Sequence, residues 1–209
     1  MDLMAGKFSV ILSDCPWQYS DKATAGKRGA DFKYDTISTR DLMHMRVGDL
    51  AAENSAHFMW VTGPFMLEGI RLMKSWGFRY VTISFNWIKL NKKNGKPFMG
   101  MGHYTRSNAE YVLLGTRGKL PVQSHSVHSV VMSPVREHSS KPPEVRERIV
   151  ELFGDVPRLE IFARDRCAGW EATGLELDEV DIREYIEWHA PIKGGLAVLR
   201  SRTGAEEKS

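Results

Sequence analysis

Cysteine is scarce in this chain, with only Cys15 and Cys167 among 209 residues. They form no C-x-x-C pair, so neither a disulfide framework nor a cysteine-rich zinc site can be assembled. Long apolar runs are missing too. Nothing approaches the roughly 20 residues of a membrane span, and Asp2, Lys7 and Ser9 interrupt the opening stretch where a signal-peptide core would sit. A reducing, cytoplasmic setting fits both absences. There is also no large charge of one sign, because 29 Lys and Arg face 26 Asp and Glu for a net charge of +3. That balance neither demands nor excludes a nucleic-acid partner, and the distribution of charge has to decide. No G-x-G-x-x-G loop follows an apolar run, which removes the usual glycine-rich phosphate cradle. His125 and His128 form H-x-x-H, with His103 and His138 elsewhere, but no helical H-E-x-x-H or cysteine pair supports them. No metal is expected.

What is present is an ordinary globular composition, 42% hydrophobic and 26% charged, enough for one domain over residues 1–190 with a tail at 191–209. Phe8–Ser13 reads as a buried strand ending at Asp14. Ser38 or Thr39 can cap a short helix to about Met45. His57–Thr62 is the next strand, Pro64 opens a helix that Gly77 closes, and Phe78–Lys89 returns as strand. Further strands are expected from Tyr111, at Val127–Met132 and at Arg158–Ala163, with a helix from Pro142 and Pro143 to Phe153 between the last two. Glu171–His189, with seven acidic residues and only Arg183 opposing them, reads as a solvated peripheral helix. Alternation at this spacing predicts an α/β fold, a parallel-rich sheet with helices on its faces.

In open α/β sheets, ligands sit beyond the carboxyl ends of strands. Asp14 is the clearest polar residue in such a position, within the tetrapeptide Asp14-Cys15-Pro16-Trp17. A carboxylate, a proline-stiffened turn and an aromatic plane together suit methylation of an exocyclic base amine. That nitrogen's lone pair is delocalised into the ring. Accepting its two hydrogens, one on a carboxylate and one on a backbone carbonyl, pyramidalises the nitrogen and directs the lone pair outwards. An aromatic plane can stack on the extruded base, a contact worth ~1–3 kcal/mol. Four residues alone are more often only a strand-ending turn.

The stretch from Gly6 to Trp17 resembles the strand and Asp-Pro-Pro-Trp motif of the MT-A70 family of S-adenosylmethionine-dependent adenine N6-methyltransferases. Similar landmarks follow in order: Phe58 to Gly63, Trp76-Gly77-Phe78, Gly102-His103-Tyr104, Glu110 with Leu113-Leu114-Gly115, Ser140-Lys141-Pro142, and Glu160 to Arg164. They cover about residues 6–177. The resemblance implies a Rossmann-like sheet with circularly permuted motif order, the catalytic motif first and the cofactor strand late. It also implies that Asp14, Ser140, Lys141, Glu160, Phe162, Arg164, Arg166 and Cys167 surround S-adenosylmethionine, with Lys141 at the methionine carboxylate. Without it, Phe162 reads as a core residue and Lys141 as a surface charge. The sequence departs from the pattern in places. Cys15 stands for the first proline, placing a thiol beside the site. Thr173-Gly174-Leu175 stands where Trp-Gly-Asn is common, which leaves Glu176 to replace a ribose contact. Family contacts upstream of the first strand are expected to have no counterpart.

Two loops flank the motif. Lys89, Lys92, Lys93, Lys96 and Arg106 occur between Asn86 and Ala109 with no acid, interleaved with Trp87, Phe98 and Tyr104. Basic side chains neutralise phosphates while aromatics stack bases. The other loop carries Lys22, Lys27, Arg28, Lys33 and Tyr34, of which Tyr34 resembles an aromatic of the target pocket. The substrate-binding set is therefore Tyr34, Lys89, Lys92, Lys93, Lys96, His103 and Tyr104, and the catalytic set is Asp14, Cys15, Pro16 and Trp17. The expected reaction is N6-methylation of adenine in DNA, favoured by small size and the absence of an appended zinc finger. RNA is the alternative, and a non-catalytic nucleic-acid-binding subunit is another. No membrane or metal partner is expected, and the oligomeric state stays open, a homodimer included.

Overall fold

The computed structural model describes residues 7–18, 36–100, 102, 104–136 and 140–190. Lys22, Lys27, Arg28, Lys33, Tyr34, His103, His138 and the segment 191–209 lie outside the described residues. Strand β1 is Phe8–Ser13, β2 Ala51–Val61, β3 Arg79–Leu90, β4 Ala109–Arg117, β5 Val130–Pro134, β6 Arg158–Ile161 and β7 Glu171–Thr173. The helices are α1 Thr39–His44, α2 Met66–Ser75, α3 Glu144–Phe153, α4 Leu175–Asp178 and α5 Ile182–His189. Local chemistry sets several ends. Ser38 caps α1 by accepting the amide of Asp41 at 3.1 Å, and Gly77 leaves α2 with φ +86, a conformation glycine adopts without a Cβ clash.

The seven strands form one sheet in the order β5-β3-β4-β2-β1-β6-β7. It is mixed: β1 runs parallel to β2 and β6, β3 to β5 and β6 to β7, whereas β4 is antiparallel to both neighbours. Alternate side chains of β1 enter two separate cores. Ile11 faces a cluster with Met59, Leu72 and Met73 of α2, Leu42 of α1, and Ile182, Tyr185 and Ile186 of α5. Val10 and Leu12 face the opposite cluster with Phe58, Trp60, Trp87, and Val145, Ile149 and Phe153 of α3. Helices thus cover both faces, the α/β Rossmann-like arrangement expected of a chain whose strands are apolar on two sides.

The main departure from the sequence reading is residues 171–189. Instead of one solvated helix there are a three-residue strand and two short helices. Ala172 and Thr173 are buried and pair with Glu160 and Ile161 of β6, and Ile182, Tyr185 and Ile186 turn inwards while most of the acids face out. β2 also begins earlier than expected, because Ala51 pairs with Phe8 at the start of β1. β1 is the switch point: the chain builds the sheet outwards on its β2 side, then returns to place β6 and β7 on the other.

Candidate active site

The parallel strands β1, β2, β3 and β6 end on the same edge of the sheet, and the antiparallel β4 begins there. That edge gathers Asp14 after β1, Lys89 near the end of β3, Glu110 at the start of β4 and Phe162 after β6. It is the crevice at a topological switch point where α/β sheets take ligands.

The turn after β1 is tight. The Trp17 amide donates to the Cys15 carbonyl at 2.9 Å, and the Ile37 amide donates to the Pro16 carbonyl at 2.9 Å. A carbonyl carries two lone pairs, so Cys15 keeps one for a further donor. Its thiol is buried, and burial pushes the thiol pKa up, which leaves it protonated and inert. Trp17 is only 5% exposed and stacks on Phe65, with centroids 5.0 Å apart and an interplanar angle of 20°. One face of its ring is therefore already covered by protein, and its Nε1 has no partner among the described residues.

Lys141 is no surface charge. Its Nζ lies 2.7 Å from Asp14 Oδ2 and 3.5 Å from Glu110 Oε2, and 5.5 Å from the centroid of the Trp60 ring. Glu110 is in turn ion-paired to Lys89, whose ammonium sits 5.1 Å from the Trp87 ring. Two carboxylates and two ammonium groups thus alternate over a floor of two tryptophans. Burial works against charge on Lys141, but Asp14 and Glu110 outweigh it and raise its pKa. For Glu110, burial is likewise outweighed by Lys141 and Lys89, and the carboxyl stays below its usual range.

The end of β6 forms the second half of the site. Phe162 adopts φ +58, a left-handed conformation that costs a non-glycine residue about 1–2 kcal/mol, and the amide of Ala163 donates to the Thr173 carbonyl at 3.0 Å. Arg164 Nε lies 3.3 Å from Glu176 Oε1. Glu160 is buried within β6, and both of its oxygens are taken by Arg146 of α3, at 2.7 and 3.0 Å. Ser140 precedes Lys141 and is half-buried, Arg166 is exposed, and Cys167 is half-buried.

The binding residues of the basic loop separate into two groups. Lys89 belongs to the buried charge network. Lys92, Lys93 and Lys96 are exposed on a turn closed by Asn91 and Lys96, and Tyr104 is fully exposed. Glu110, Arg146 and Trp60 are site residues that did not stand out as such in the sequence. Glu110 and Trp60 carried a weak signal, since each appeared only within a landmark.

A carboxylate at a switch point, a carbonyl and an aromatic on one turn, and a lysine that reaches the carboxylate from a distant part of the chain lie together at this edge. The MT-A70 family profile matches residues 8–176. This chain belongs to the MT-A70 family. Among its relatives, a Type II methyltransferase, M.MunI, from Mycoplasma sp is 33% identical over 83% of this chain and 79% of its own length. A putative N(6)-adenosine-methyltransferase MT-A70-like protein from Medicago truncatula is 30% identical over 86% of this chain but 28% of its own. The N(6)-adenosine-methyltransferase catalytic subunit METTL3 from Homo sapiens is 25% identical over 85% of this chain and 29% of its own. The chain thus spans most of the mycoplasma protein and under a third of the other two. As an MT-A70 protein it is an S-adenosylmethionine-dependent adenine methyltransferase.

The residues present fit that methyl donor. The site offers an anion in Asp14 and a cation in Lys141 for a ligand that carries both signs. At the far end it offers a half-buried apolar ring in Phe162 and, two residues on, the guanidinium of Arg164. No metal-type group of three or more His, Cys, Asp or Glu occurs among the described residues. No helix among them is long and apolar enough to cross a membrane.

Proposed function

We propose that the protein methylates the N6 amine of adenine in DNA, with Asp14 and the Cys15 carbonyl accepting the two amine hydrogens. The observation that carries the reading is the position of Asp14. It follows β1, the strand at the switch point, its turn is fixed by two backbone hydrogen bonds, and Lys141 holds its carboxylate at 2.7 Å. Acceptors on both hydrogens pyramidalise the amine and aim its lone pair, while the methyl donor, when bound, supplies an electrophilic methyl on a sulfonium. Pro16 stiffens the turn. Trp17, anchored on Phe65, supports the wall against which an extruded base would rest, and Tyr34 is assigned the opposite wall. Lys141 and Ser140 are assigned to the donor's carboxylate end, and Phe162, Arg164, Arg166, Cys167 and Glu176 to its nucleoside end. Glu160 acts there through Arg146. On this reading the order of parts, catalytic strand first and donor strand late, is the permuted one.

Likeness to the Type II methyltransferase along most of both chains favours DNA. RNA is the second reading, favoured by the relatives named N(6)-adenosine-methyltransferase. Incubation with a labelled methyl donor and a mixed pool of DNA and RNA oligonucleotides, followed by nucleoside mass spectrometry, separates them. The expected product is N6-methyldeoxyadenosine; label confined to N6-methyladenosine would move the substrate to RNA.

A further inference from the structure

Arg146 joins three parts of the site's second half. Its side chain is 12% exposed, and its Nε and Nη2 hold Glu160 of β6, while Nη2 also holds Asp165 Oδ1 at 2.5 Å in the loop that follows. That loop leaves β6 through the left-handed Phe162. Its ends are fixed by main-chain bonds, Ala163 amide to Thr173 carbonyl and Trp170 amide to Cys167 carbonyl. A Cβ on Gly174 would lie 2.3 Å from the Ala163 carbonyl oxygen, so the first residues of the loop are also packed tightly from behind. Between these ends the hold passes to side chains on consecutive residues, Arg164 on Glu176 and Asp165 on Arg146.

We propose that Arg146 is a positioning residue for the nucleoside end of the methyl donor. It holds the loop from Phe162 to Cys167 in its binding shape through Asp165. The inference rests on the reading above that this loop holds the donor. Asp165 is 61% exposed on its side chain, and ion pairs with such exposure add little to global stability. What the contact does is remove loop freedom that a ligand would otherwise have to remove on binding. Pre-ordering of this kind appears in affinity and leaves the fold almost untouched.

The test uses the full-length protein with Asp165→Asn, which cuts the loop arm and spares the buried Arg146–Glu160 pair, and Arg146→Lys, which keeps the charge but cannot form the fork. Affinities for S-adenosylhomocysteine and for adenosine are measured by calorimetry, with melting temperature, KM and kcat alongside. Asp165→Asn is expected to weaken both ligands by the same factor, about three- to tenfold. KM for the donor should rise, kcat at saturating donor should stay within about twofold, and the melting temperature should move by no more than about 2 °C. Arg146→Lys should lose more. Unchanged affinity in Asp165→Asn overturns the inference alone, as does an affinity loss accompanied by a fall of several degrees in melting temperature. Wild-type protein that binds neither compound overturns the donor reading and this inference with it.

Discussion

His57 shows how much one buried side chain can decide. It is fully buried, its Nε2 is 2.9 Å from the hydroxyl of Ser13, and the rings of Trp76 and Phe78 lie 5.3 and 5.0 Å from its own. Ser13 is the residue before Asp14, so the pair ties the strand end that presents the carboxylate to β2. Burial lowers the His57 pKa to about 3. The folded protein therefore keeps it neutral where the unfolded chain takes up a proton below about pH 6.5. The unfolded state binds more protons between those values, so stability falls as pH drops from 6.5 towards 3. Urea unfolding should show a loss of about 2 kcal/mol between pH 7 and pH 5 from this residue, absent in His57→Gln. An equal loss in the variant would move the effect to other groups. Asp14 was legible in the sequence because its meaning lies in four consecutive residues. Its partner Lys141 is 127 positions away, and Arg146 meets Glu160 only because α3 lies over the face of the sheet on which Val10, Leu12 and Phe58 also sit, so no local pattern announced those pairs.

Among the elements, the excursion after β3 is where charge and backbone meet most simply. Leu90 bridges to Pro97, and amides of Asn91 and Phe98 close a turn that holds Lys92, Lys93 and Lys96 outwards. Lys89 looked equivalent to them in sequence. It lies on the strand instead, spent on Glu110, so the phosphate-binding prediction belongs to the other three. Converting Lys92, Lys93 and Lys96 to Gln should leave S-adenosylhomocysteine binding unchanged, weaken nucleic-acid binding whatever its sequence, and flatten the salt dependence by up to about 0.7–0.9 per contact removed. An unaltered slope would take the turn off the binding surface. Helix limits were the easiest elements to read, since Ser38 and Gly77 act through their nearest neighbours. Strand β7 was the hardest. Three residues paired across the chain cannot outweigh seven acids in a composition argument, although only burial of Ala172 and Thr173 on β6 decides the matter.

At the scale of the molecule, the net charge of +3 says little, because the charges that matter are sorted. Lys141, Glu110 and Lys89 neutralise Asp14's surroundings inside the crevice, while exposed lysines crowd the turn that follows β3. The sheet order makes that sorting possible. With β1 between β2 and β6, one edge of the sheet gathers the Asp14 turn, the Lys89–Glu110 pair from β3 and β4, and the loop after β6. The mixed direction of β4 was not legible from alternating elements, yet it is what brings Glu110 to this edge by starting a strand where its neighbours finish. The central claim is that the Asp14 carboxylate accepts a hydrogen of the target amine. Asp14→Asn keeps the shape and replaces one acceptor oxygen with a donor, and it leaves Glu110 to face Lys141. The measurement is single-turnover N6-methyladenine formation on a DNA oligonucleotide, with S-adenosylhomocysteine affinity measured on the same preparation. The account predicts a rate lower by about 10²–10⁴-fold with donor-product affinity within a few-fold of wild type; a rate within about tenfold of wild type would contradict it.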